Sequence, residues 1–347
     1  MIKEHSTTPS SEAEQNSLRT ADEVMPVPGM RMINLVGRMA LYSLTAFMIS
    51  CLFTLPLACL WVITPLVNSD WFMTLYRSVG AFTLGSGFAL FIVLFILNPL
   101  FVPERDFYYR SLGKVKVHVG LTAYNDEICI GDAVRDFKSS ALVDKVIVVE
   151  NNSRDNTYQV AVESGADLVV TETIPGYGSC CRRALAEAAK GLDNEDIIIL
   201  CEGDMTFTSH DVKKFLAYIE NCDLVLGTRA TQELRATKTQ MDRLINPANQ
   251  IVAKMIQTRF WGTRLTDVGC TYRAIRVGAY HRIKDCLRVR GNHFSPHMFI
   301  EALKMRLRVI EIPIVFRVRI GESKGVGANK IKAARVALQM LGLLYAA

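Results

Sequence analysis

The sequence predicts an α/β fold, a sheet with helices on both of its faces, preceded by a hairpin of two apolar helices. Residues 40–67 and 79–101 are almost uninterrupted apolar stretches, and each is long enough to cross a bilayer, which takes about 20 residues of helix. Beyond them, short apolar runs alternate with segments of helical periodicity, as in a wound sheet. One such run, residues 197–200, leads directly to Glu202 and Asp204. This pattern is typical of a buried strand that ends at a functional edge.

The first segment, residues 1–28, is rich in Ser, Thr, Glu and Pro and has hardly any apolar periodicity. We therefore expect a disordered cytoplasmic tail, followed by the transmembrane hairpin over residues 29–110. Half of the chain is hydrophobic and the mean hydropathy is +0.19, which is high for a wholly soluble protein. The alternative for the two apolar stretches is a pair of helices buried in a globular core. Nine cysteines without a CxxC pair favour reduced thiols.

Basic residues flank the predicted hairpin on both sides, whereas the link between the spans carries only Arg77. The flanking cations are Arg31, Arg38, Arg105, Arg110, Lys114 and Lys116. Because Lys and Arg favour the cytoplasmic side, we expect an integral membrane protein whose main domain lies on the cytoplasmic face. The net charge of +6 suits a surface beside anionic headgroups, and its distribution does not indicate a nucleic-acid partner. Pro56 and Pro65 predict a kink in the first helix or its end.

The elements after residue 111 follow one another as strands joined by single helices. We predict strands at 115–121, 145–150, 167–171, 197–200 and 223–227. Helices are predicted at 128–137, 158–164, 179–190 and from about residue 209. This order implies parallel strands with helices on both faces, and in such sheets ligands bind beyond the carboxyl ends of the strands.

Polar side chains collect where three of these strands end. They are Thr122, Tyr124, Asn125, Asp126 and Glu127 after the first strand, Glu150, Asn151 and Asp155 after the second, and Glu202 and Asp204, with Gly203 between them, after the fourth. Each group alone could be a turn, but three at one edge favour a nucleotide site. Because side chains two apart on a strand point the same way, we expect Glu202 and Asp204 to converge if the extended geometry persists, which would suit Mg²⁺ or Mn²⁺. The alternative is an acidic turn after a core strand.

A Gly-Tyr-Gly segment at residues 176–178 precedes a predicted helix. Glycine there lets backbone approach a ligand closely, and the helix N-terminus favours an anion. Arg182, one turn into that helix, could reach a phosphate. A plain turn and a solvated helix face are the alternatives for these two features.

Residues 116–324 resemble family 2 glycosyltransferases of the GT-A fold, most closely the polyprenyl-phosphate branch that includes dolichyl-phosphate mannose synthase. The motifs that carry the resemblance are residues 124–127 (YNDE), 149–157 (VENNSRDNT), 176–182 (GYGSCCR), 202–204 (EGD), 227–229 (GTR), 266–273 (TDVGCTYR) and 312–324 (IPIVFRVRIGESK). This sequence departs from the family pattern at some positions. Glu150 and Glu202 stand where Asp is usual, and Thr271 stands where Gly is common.

The resemblance implies a GT-A (Rossmann-like) mixed sheet over residues 111–325 and a metal-dependent, inverting glycosyltransferase. Its donor would be a GDP- or UDP-linked sugar, and its acceptor a polyprenyl phosphate. The implied donor-binding residues are Thr122, Tyr124, Asn125, Glu127, Glu150, Asn151, Asp155, Gly178, Arg182, Glu202, Gly203 and Arg229. The implied catalytic residues are Asp204, Asp267, Arg182 and Arg319, with Asp204 and Glu202 holding Mg²⁺ or Mn²⁺.

Residues that follow the sheet are expected to meet the lipid acceptor. Arg317, Arg319, Ser323 and Lys324 would bind its phosphate, and residues 326–347 read as an amphipathic helix in the headgroup plane. Two other functions stay open. One is transfer to a hydroxyl of another lipid or a polysaccharide, with Asp267 as the base, and the other is a degenerate, non-catalytic membrane scaffold. A homo-oligomer is also open.

Overall fold

The computed structural model describes residues 30–63, 69–102, 106–237, 239, 245–321 and 330–347, without the side chains of residues 63, 245 and 330–333. The predicted tail at residues 1–28 lies outside the described residues. The same holds for Pro65, Ser323 and Lys324, so their predicted roles stay predictions.

Two long apolar helices precede the main domain. They are α1 (Met30–Ile63) and α2 (Asp70–Ile92), and α2 continues through a π-helical segment (Val93–Leu97) into α3 (Asn98–Phe101). Both are long and apolar enough to cross a membrane, and only 6% of each apolar window is buried in the protein. Pro56 lies inside α1 rather than at its end. The two helices are therefore candidate membrane spans.

Both helices begin earlier than the apolar stretches from which they were predicted. The first turns of α1 carry Arg31, Asn34 and Arg38, so hydropathy alone does not mark them as part of the helix. Val36 and Ala40 nevertheless pack against Val93 in a small buried cluster. This packing stabilises the polar end of the hairpin where it meets the main domain.

The main domain is a seven-stranded mixed sheet in the order β3-β2-β1-β4-β6-β5-β7. The strands are β1 (Val117–Ala123), β2 (Lys145–Glu150), β3 (Leu168–Thr171), β4 (Ile197–Glu202), β5 (Leu224–Thr228), β6 (Arg273–Arg276) and β7 (Val309–Pro313). β6 runs antiparallel to both of its neighbours, and the other pairs are parallel. The predicted mixed sheet is thus confirmed.

Helices cover both faces of this sheet. They are α4 (Ile130–Lys138), α5 (Thr157–Glu163), α6 (Tyr177–Ala188), α7 (Val212–Ile219), α8 (Ile245–Phe260), α9 (Val277–Ile283), α10 (Phe294–Lys304) and α11 (Lys330–Ala346). Side chains alternate along β4, so that Ile197 and Ile199 pack under α4 and α7, whereas Ile198 and Leu200 pack under α6 and α10. β4 is therefore buried on both faces, as its apolar run predicts.

The C-terminal helix α11 packs against the domain and against α1. Leu344 is fully buried, and the ring of Tyr345 stacks on Tyr42 of α1 with centroids 5.9 Å apart. Leu338, in contrast, is 69% exposed. The structure has a helix within the predicted segment, at Lys330–Ala346, and its place in the headgroup plane stays a prediction.

Candidate active site

The polar loops predicted from the sequence meet at one edge of the sheet. In the register of the parallel strands, Thr122 on β1 lies beside Glu202 on β4, and Ala123 lies beside Glu150 on β2. The chain then turns, and the Gly203 N–H donates to the Thr122 carbonyl over 2.9 Å. An added Cβ at Gly203 would stand 2.5 Å from Ile130 Cδ1 and 3.3 Å from the Thr122 carbonyl oxygen, so a side chain at this turn would displace the end of Ile130.

Glu202 and Asp204 lie close enough to influence each other's charge. Burial raises the pKa of Glu202, and the neighbouring Asp204 carboxylate raises it further. The Tyr177 hydroxyl donates to Glu202 Oε1 over 2.8 Å and Thr271 Oγ1 donates to the same oxygen over 3.1 Å. Asp204 Oδ1 accepts from the N–H and hydroxyl of Thr206 at 3.0 and 2.5 Å. Two oriented carboxylates that repel each other fit a divalent cation as an oxygen donor set.

Arg319 lies between two carboxylates of this edge. Its guanidinium is 3.0 Å from Asp204 Oδ2 and 3.0 Å from Asp126 Oδ1. Burial disfavours its charge, but the two carboxylates outweigh burial and raise the pKa of Arg319. The backbone holds it there, because the Ile320 N–H donates to the Asp204 carbonyl and the Arg317 N–H to the Thr206 carbonyl. The residue predicted for the lipid phosphate thus contacts the predicted metal ligand, whereas the Arg317 side chain is exposed.

A cavity of about 240 Å³ opens beside this pair, and its lining includes Asn125, Asp126, Glu127, Asp155 and Ile320. The two loops that form it are cross-linked by hydrogen bonds. Asn125 Oδ1 accepts from the Arg154 N–H at 2.7 Å, and Glu127 Oε2 accepts from the Asn156 N–H at 2.9 Å. The cavity brings together three of the predicted donor-binding residues, and its polar rim fits a base or a ribose.

Several other predicted donor-binding residues build the loops rather than line this cavity. The Asn151 amide donates to the carbonyls of Glu172 and Ile174 and accepts from the Gly176 N–H. Glu150 is buried and accepts from the Ser153 N–H at 2.7 Å. Thr122 is also buried, and the Tyr124 side chain is exposed. The contacts of Asn151 and Glu150 show that these two side chains hold the backbone of the surrounding loops in place.

The glycine segment before α6 is packed against backbone. An added Cβ at Gly178 would stand 2.5 Å from the Val289 carbonyl oxygen, and one at Gly176 would stand 2.4 Å from that of Arg290. This close approach, and a φ of +126° at Gly176, account for both glycines. The arrangement orients Tyr177 toward Glu202. Arg182 is exposed further along α6, and its charge acts on Tyr280.

Asp267 lies in a buried ion pair with Arg229, whose Nε and Nη2 donate to its two carboxylate oxygens at 2.7 and 2.9 Å. The Arg229 N–H, the Asn249 amide and the Gly269 N–H donate to it as well. Burial alone would raise the pKa of Asp267, but the charge and hydrogen bonds of Arg229 outweigh it and bring the pKa to about 2. This carboxylate is therefore ionised and surrounded by donors.

The comparisons with known proteins agree with this geometry. The family model described as glycosyl transferase family 2 matches residues 119–284. This range spans the chain from β1 to β6 and includes Glu202, Asp204, Arg229 and Asp267, whereas Arg319 and the backbone at residues 289–290 lie beyond it. This domain belongs to glycosyl transferase family 2. The resemblance found in the sequence is thereby confirmed, and the domain is a glycosyltransferase domain.

Two curated relatives of the family 2 domain are named for polyprenyl phosphates. A dolichyl-phosphate hexose transferase of Haloferax volcanii is 27% identical over 207 residues, which are 59% of this chain and 85% of the relative. An undecaprenyl-phosphate mannosyltransferase of Micrococcus luteus is 25% identical over 191 residues, 52% of this chain and 76% of the relative.

Among solved structures, glucosyl-3-phosphoglycerate synthase from Mycobacterium tuberculosis, crystallised with Mn²⁺, UDP-glucose and phosphoglyceric acid, superimposes with a TM-score of 0.51. The two sequences are 16% identical, and the superposition covers 69% of this chain and 87% of the synthase chain. This likeness shows the GT-A fold.

Sequence reasoning did not assign roles to four residues that shape the site of the family 2 domain. Asp126 pairs with Arg319, Tyr177 and Thr271 orient Glu202, and Asn249 holds Asp267. Asp126 and Tyr177 lie inside the quoted motifs, so position in a motif was an available signal. Asn249 lies in α8, outside every motif, and the sequence offers no signal for it.

Proposed function

We propose that this protein is a membrane-bound, inverting glycosyltransferase that moves a sugar from a nucleotide diphosphate sugar to a polyprenyl phosphate. The observation that carries the proposal is the carboxylate pair Glu202 and Asp204 at the carboxyl end of the central strand β4, near a cavity whose rim includes Asp126 and Glu127. The acceptor class is supported by the relatives named for dolichyl and undecaprenyl phosphates. The GT-A neighbour crystallised with a UDP-sugar supports a nucleotide-sugar donor, UDP- or GDP-linked.

Asp204 and Glu202 would hold a divalent cation, Mg²⁺ or Mn²⁺. Bound there, the cation supplies charge neutralisation of the diphosphate leaving group. Among the described residues, no third acidic, His or Cys side chain joins this pair in a metal-binding cluster, so water and the donor phosphates would have to supply the other ligands. Tyr177 and Thr271 would keep Glu202 in place, and Arg319 would stabilise negative charge at the same centre.

The state of Asp267 favours a phosphate acceptor over a hydroxyl acceptor. A hydroxyl needs a general base, whereas a phosphate oxygen is already anionic at pH 7. Asp267 was the candidate base, but its pKa is about 2 and its oxygens accept from Arg229, Asn249 and Gly269. We therefore assign Asp267 the role of fixing Arg229, and we expect direct displacement by the lipid phosphate, which inverts the sugar carbon.

Placement in a membrane is part of the proposal. The two apolar helices would span the bilayer, and the basic residues Arg31, Arg38 and Arg110 at the polar end of the hairpin favour a cytoplasmic face for the domain. The lipid phosphate would then reach the site from the same surface, with Ser323 and Lys324 as proposed contacts.

The test is a transfer assay with membranes that contain the full chain. Labelled UDP- and GDP-sugars are supplied one at a time, and the lipid extract is counted with and without excess EDTA. We expect one donor to label the lipid, and Asp204→Asn or EDTA to lower the label by at least about a hundredfold. Full activity in excess EDTA would contradict the metal role. No labelled lipid with any donor would favour the scaffold or another acceptor.

A further inference from the structure

A second large cleft lies where the helical hairpin meets the domain. Its volume is about 700 Å³, and it is lined by the first turns of α1, the end of α2 through α3, the end of α8 and the chain from 303 to 309. The described lining residues include four cations, Arg259, Lys304, Arg306 and Arg308, against one acid, Asp106. Such an excess of cations in a concave site attracts an anion.

Two of these cations have buried N–H groups without an acceptor in the described structure. They are Nε of Arg259, a residue only 3% exposed, and Nη1 of Arg306. Arg259 is partly engaged, because its Nη2 donates to the Ala347 carbonyl at 2.9 Å while Nε is left without an acceptor among the described residues. Lys304 pairs with Glu301 at 3.0 Å, and Arg308 lies over the Tyr108 ring at 4.3 Å. Leaving a charged, buried donor unsatisfied is unfavourable, so an anionic oxygen acceptor would stabilise this cleft.

Aromatic residues place the cleft at headgroup depth in the proposed membrane. Tyr42, in the first half of α1, stacks on Tyr345, and Trp61, near the C-terminal end of α1, stacks on Tyr76. The nineteen-residue separation of Tyr42 and Trp61 corresponds to about 28 Å of helix, close to the thickness of the hydrocarbon core. Arg259 packs on Gly37, about 7 Å further toward the domain.

The cleft is separate from the candidate active site. Its lining residues Asn221, Arg308 and Val309 lie where β5 and β7 begin, at the amino edge of these strands. Glu202 and Thr228 end β4 and β5 at the opposite, carboxyl edge. A ligand in the cleft would therefore not occupy the donor or acceptor site.

We propose that this cleft binds the phosphodiester headgroup of an anionic glycerophospholipid, with Arg259 Nε and Arg306 Nη1 as donors. The polar side chains of Asn34 and Asn98, one from each helix of the hairpin, line the same cleft. A lipid bound there joins α1 and the α2–α3 end to α8 of the domain, and so stabilises their relative position. The proposal rests on the membrane placement above but not on glycosyl transfer.

The test measures thermal unfolding of the full chain in nanodiscs. Discs of phosphatidylcholine alone are compared with discs that also contain phosphatidylglycerol, and detergent-solubilised protein is tested with inorganic phosphate. We expect phosphatidylglycerol to raise the Tm of the wild type by about 5 °C, and inorganic phosphate to have little effect. An equal shift with inorganic phosphate, or no difference between the two kinds of disc, would overturn the proposal.

Two variants locate the effect, and a third controls for charge. Arg306→Gln and Arg259→Gln should each lose at least half of the phosphatidylglycerol shift. Arg135→Gln removes an exposed cation that pairs with Asp132 outside the cleft, and it should keep the full shift. If Arg306→Gln keeps the shift, or if Arg135→Gln loses as much, the lipid does not bind in this cleft. Transfer activity, measured in parallel on Arg306→Gln, should be unchanged, so this test is independent of the proposed reaction.

Discussion

Glu202, a proposed metal ligand, illustrates how a buried carboxylate can lower the stability of the fold that holds it. Its pKa is raised by burial and by Asp204, so above that raised pKa the ionised carboxylate opposes folding, and the penalty is lost as the pH falls through the raised pKa toward the ordinary value. Glu202→Gln removes the charge and keeps an amide oxygen for Tyr177 and Thr271. We expect its Tm in EDTA to rise by about 2–4 °C.

The same variant should lose its response to metal. Mn²⁺ should raise the Tm of the wild type by binding only the folded state, and it should raise that of Glu202→Gln much less. A differential scanning measurement with and without Mn²⁺ gives both quantities. An unchanged Mn²⁺ response in the variant would remove Glu202 from the metal site.

Asp267 has the opposite pH dependence. Its folded pKa of about 2 lies below the ordinary value of 3.8, so its contribution to stability is present above about pH 4 and is lost as the pH falls toward 2. Asp267→Asn leaves Arg229 buried and unpaired, and it should lower the free energy of unfolding at pH 7 by about 3–5 kcal/mol.

Urea unfolding followed by circular dichroism checks this prediction. Asp132→Asn, which breaks an exposed pair with Arg135, is the control and should cost less than about 1 kcal/mol. Between pH 4 and pH 2 the wild type should lose more stability than Asp267→Asn, whose side chain does not titrate. Equal acid sensitivity of the two proteins would show that Asp267 is not the group responsible.

For single residues, the sequence predicted the proximity of side chains that are close together along the chain better than contacts between residues that are far apart along it. Glu202 and Asp204 are two residues apart, so their proximity is local, although β4 ends at Glu202 and a turn at Gly203 rather than strand alternation sets the position of Asp204. Arg319 meets Asp126 across 193 residues of chain, and no local pattern encodes that contact. The five hydrogen bonds that occupy Asp267 are likewise set by tertiary packing, which is why sequence reasoning left open its role as a base.

The start of α6 is an element whose position depends on two glycines. Gly178→Ala would bring a Cβ to 2.5 Å from the Val289 carbonyl oxygen and 2.8 Å from Arg290 C. Because both are backbone atoms, α6 or the facing chain must shift, and Tyr177 would move away from Glu202. We expect a loss of about 1–3 kcal/mol in stability and at least about a tenfold loss of transfer.

Gly113→Ala is the matched control, since an added Cβ there meets nothing within 4 Å. It should leave the Tm and the transfer rate close to wild type. If Gly178→Ala retains full activity with a normal Tm, the close approach of α6 to residues 289–290 does not position Tyr177.

Strands with a clear apolar run were predicted well from the sequence. Strands that are held in the sheet mainly by contacts with distant residues were predicted poorly. The five predicted strands correspond to β1 through β5. The apolar runs of β1, β2, β4 and β5 are buried on the sheet, whereas β3 is a partly exposed strand whose run is marked by its β-branched residues. β6 is only four residues long, Arg273–Arg276, and two of them are arginines, so no apolar run marks it. Arg273 is buried all the same, because its guanidinium donates to the carbonyls of Thr271 and Ser295.

The orientation of the whole molecule is open to direct measurement. If the basic flanks of the hairpin lie in the cytoplasm, a tag at Thr7 and the family 2 domain should resist protease in intact cells. A protease site inserted beside Ser69, in the link between the spans, should be cleaved from outside. Cleavage of the Thr7 tag in intact cells, with protection at Ser69, would reverse the topology.

The most direct measurement of the central claim compares two acceptors with the purified full chain. A labelled nucleotide sugar that is active in the membrane assay is supplied with Mn²⁺ and either a polyprenyl phosphate or the corresponding polyprenol. The account predicts labelled lipid with the phosphate and almost none with the alcohol, because Asp267 is occupied by Arg229 and no base is assigned. Equal or faster transfer to the polyprenol would contradict it.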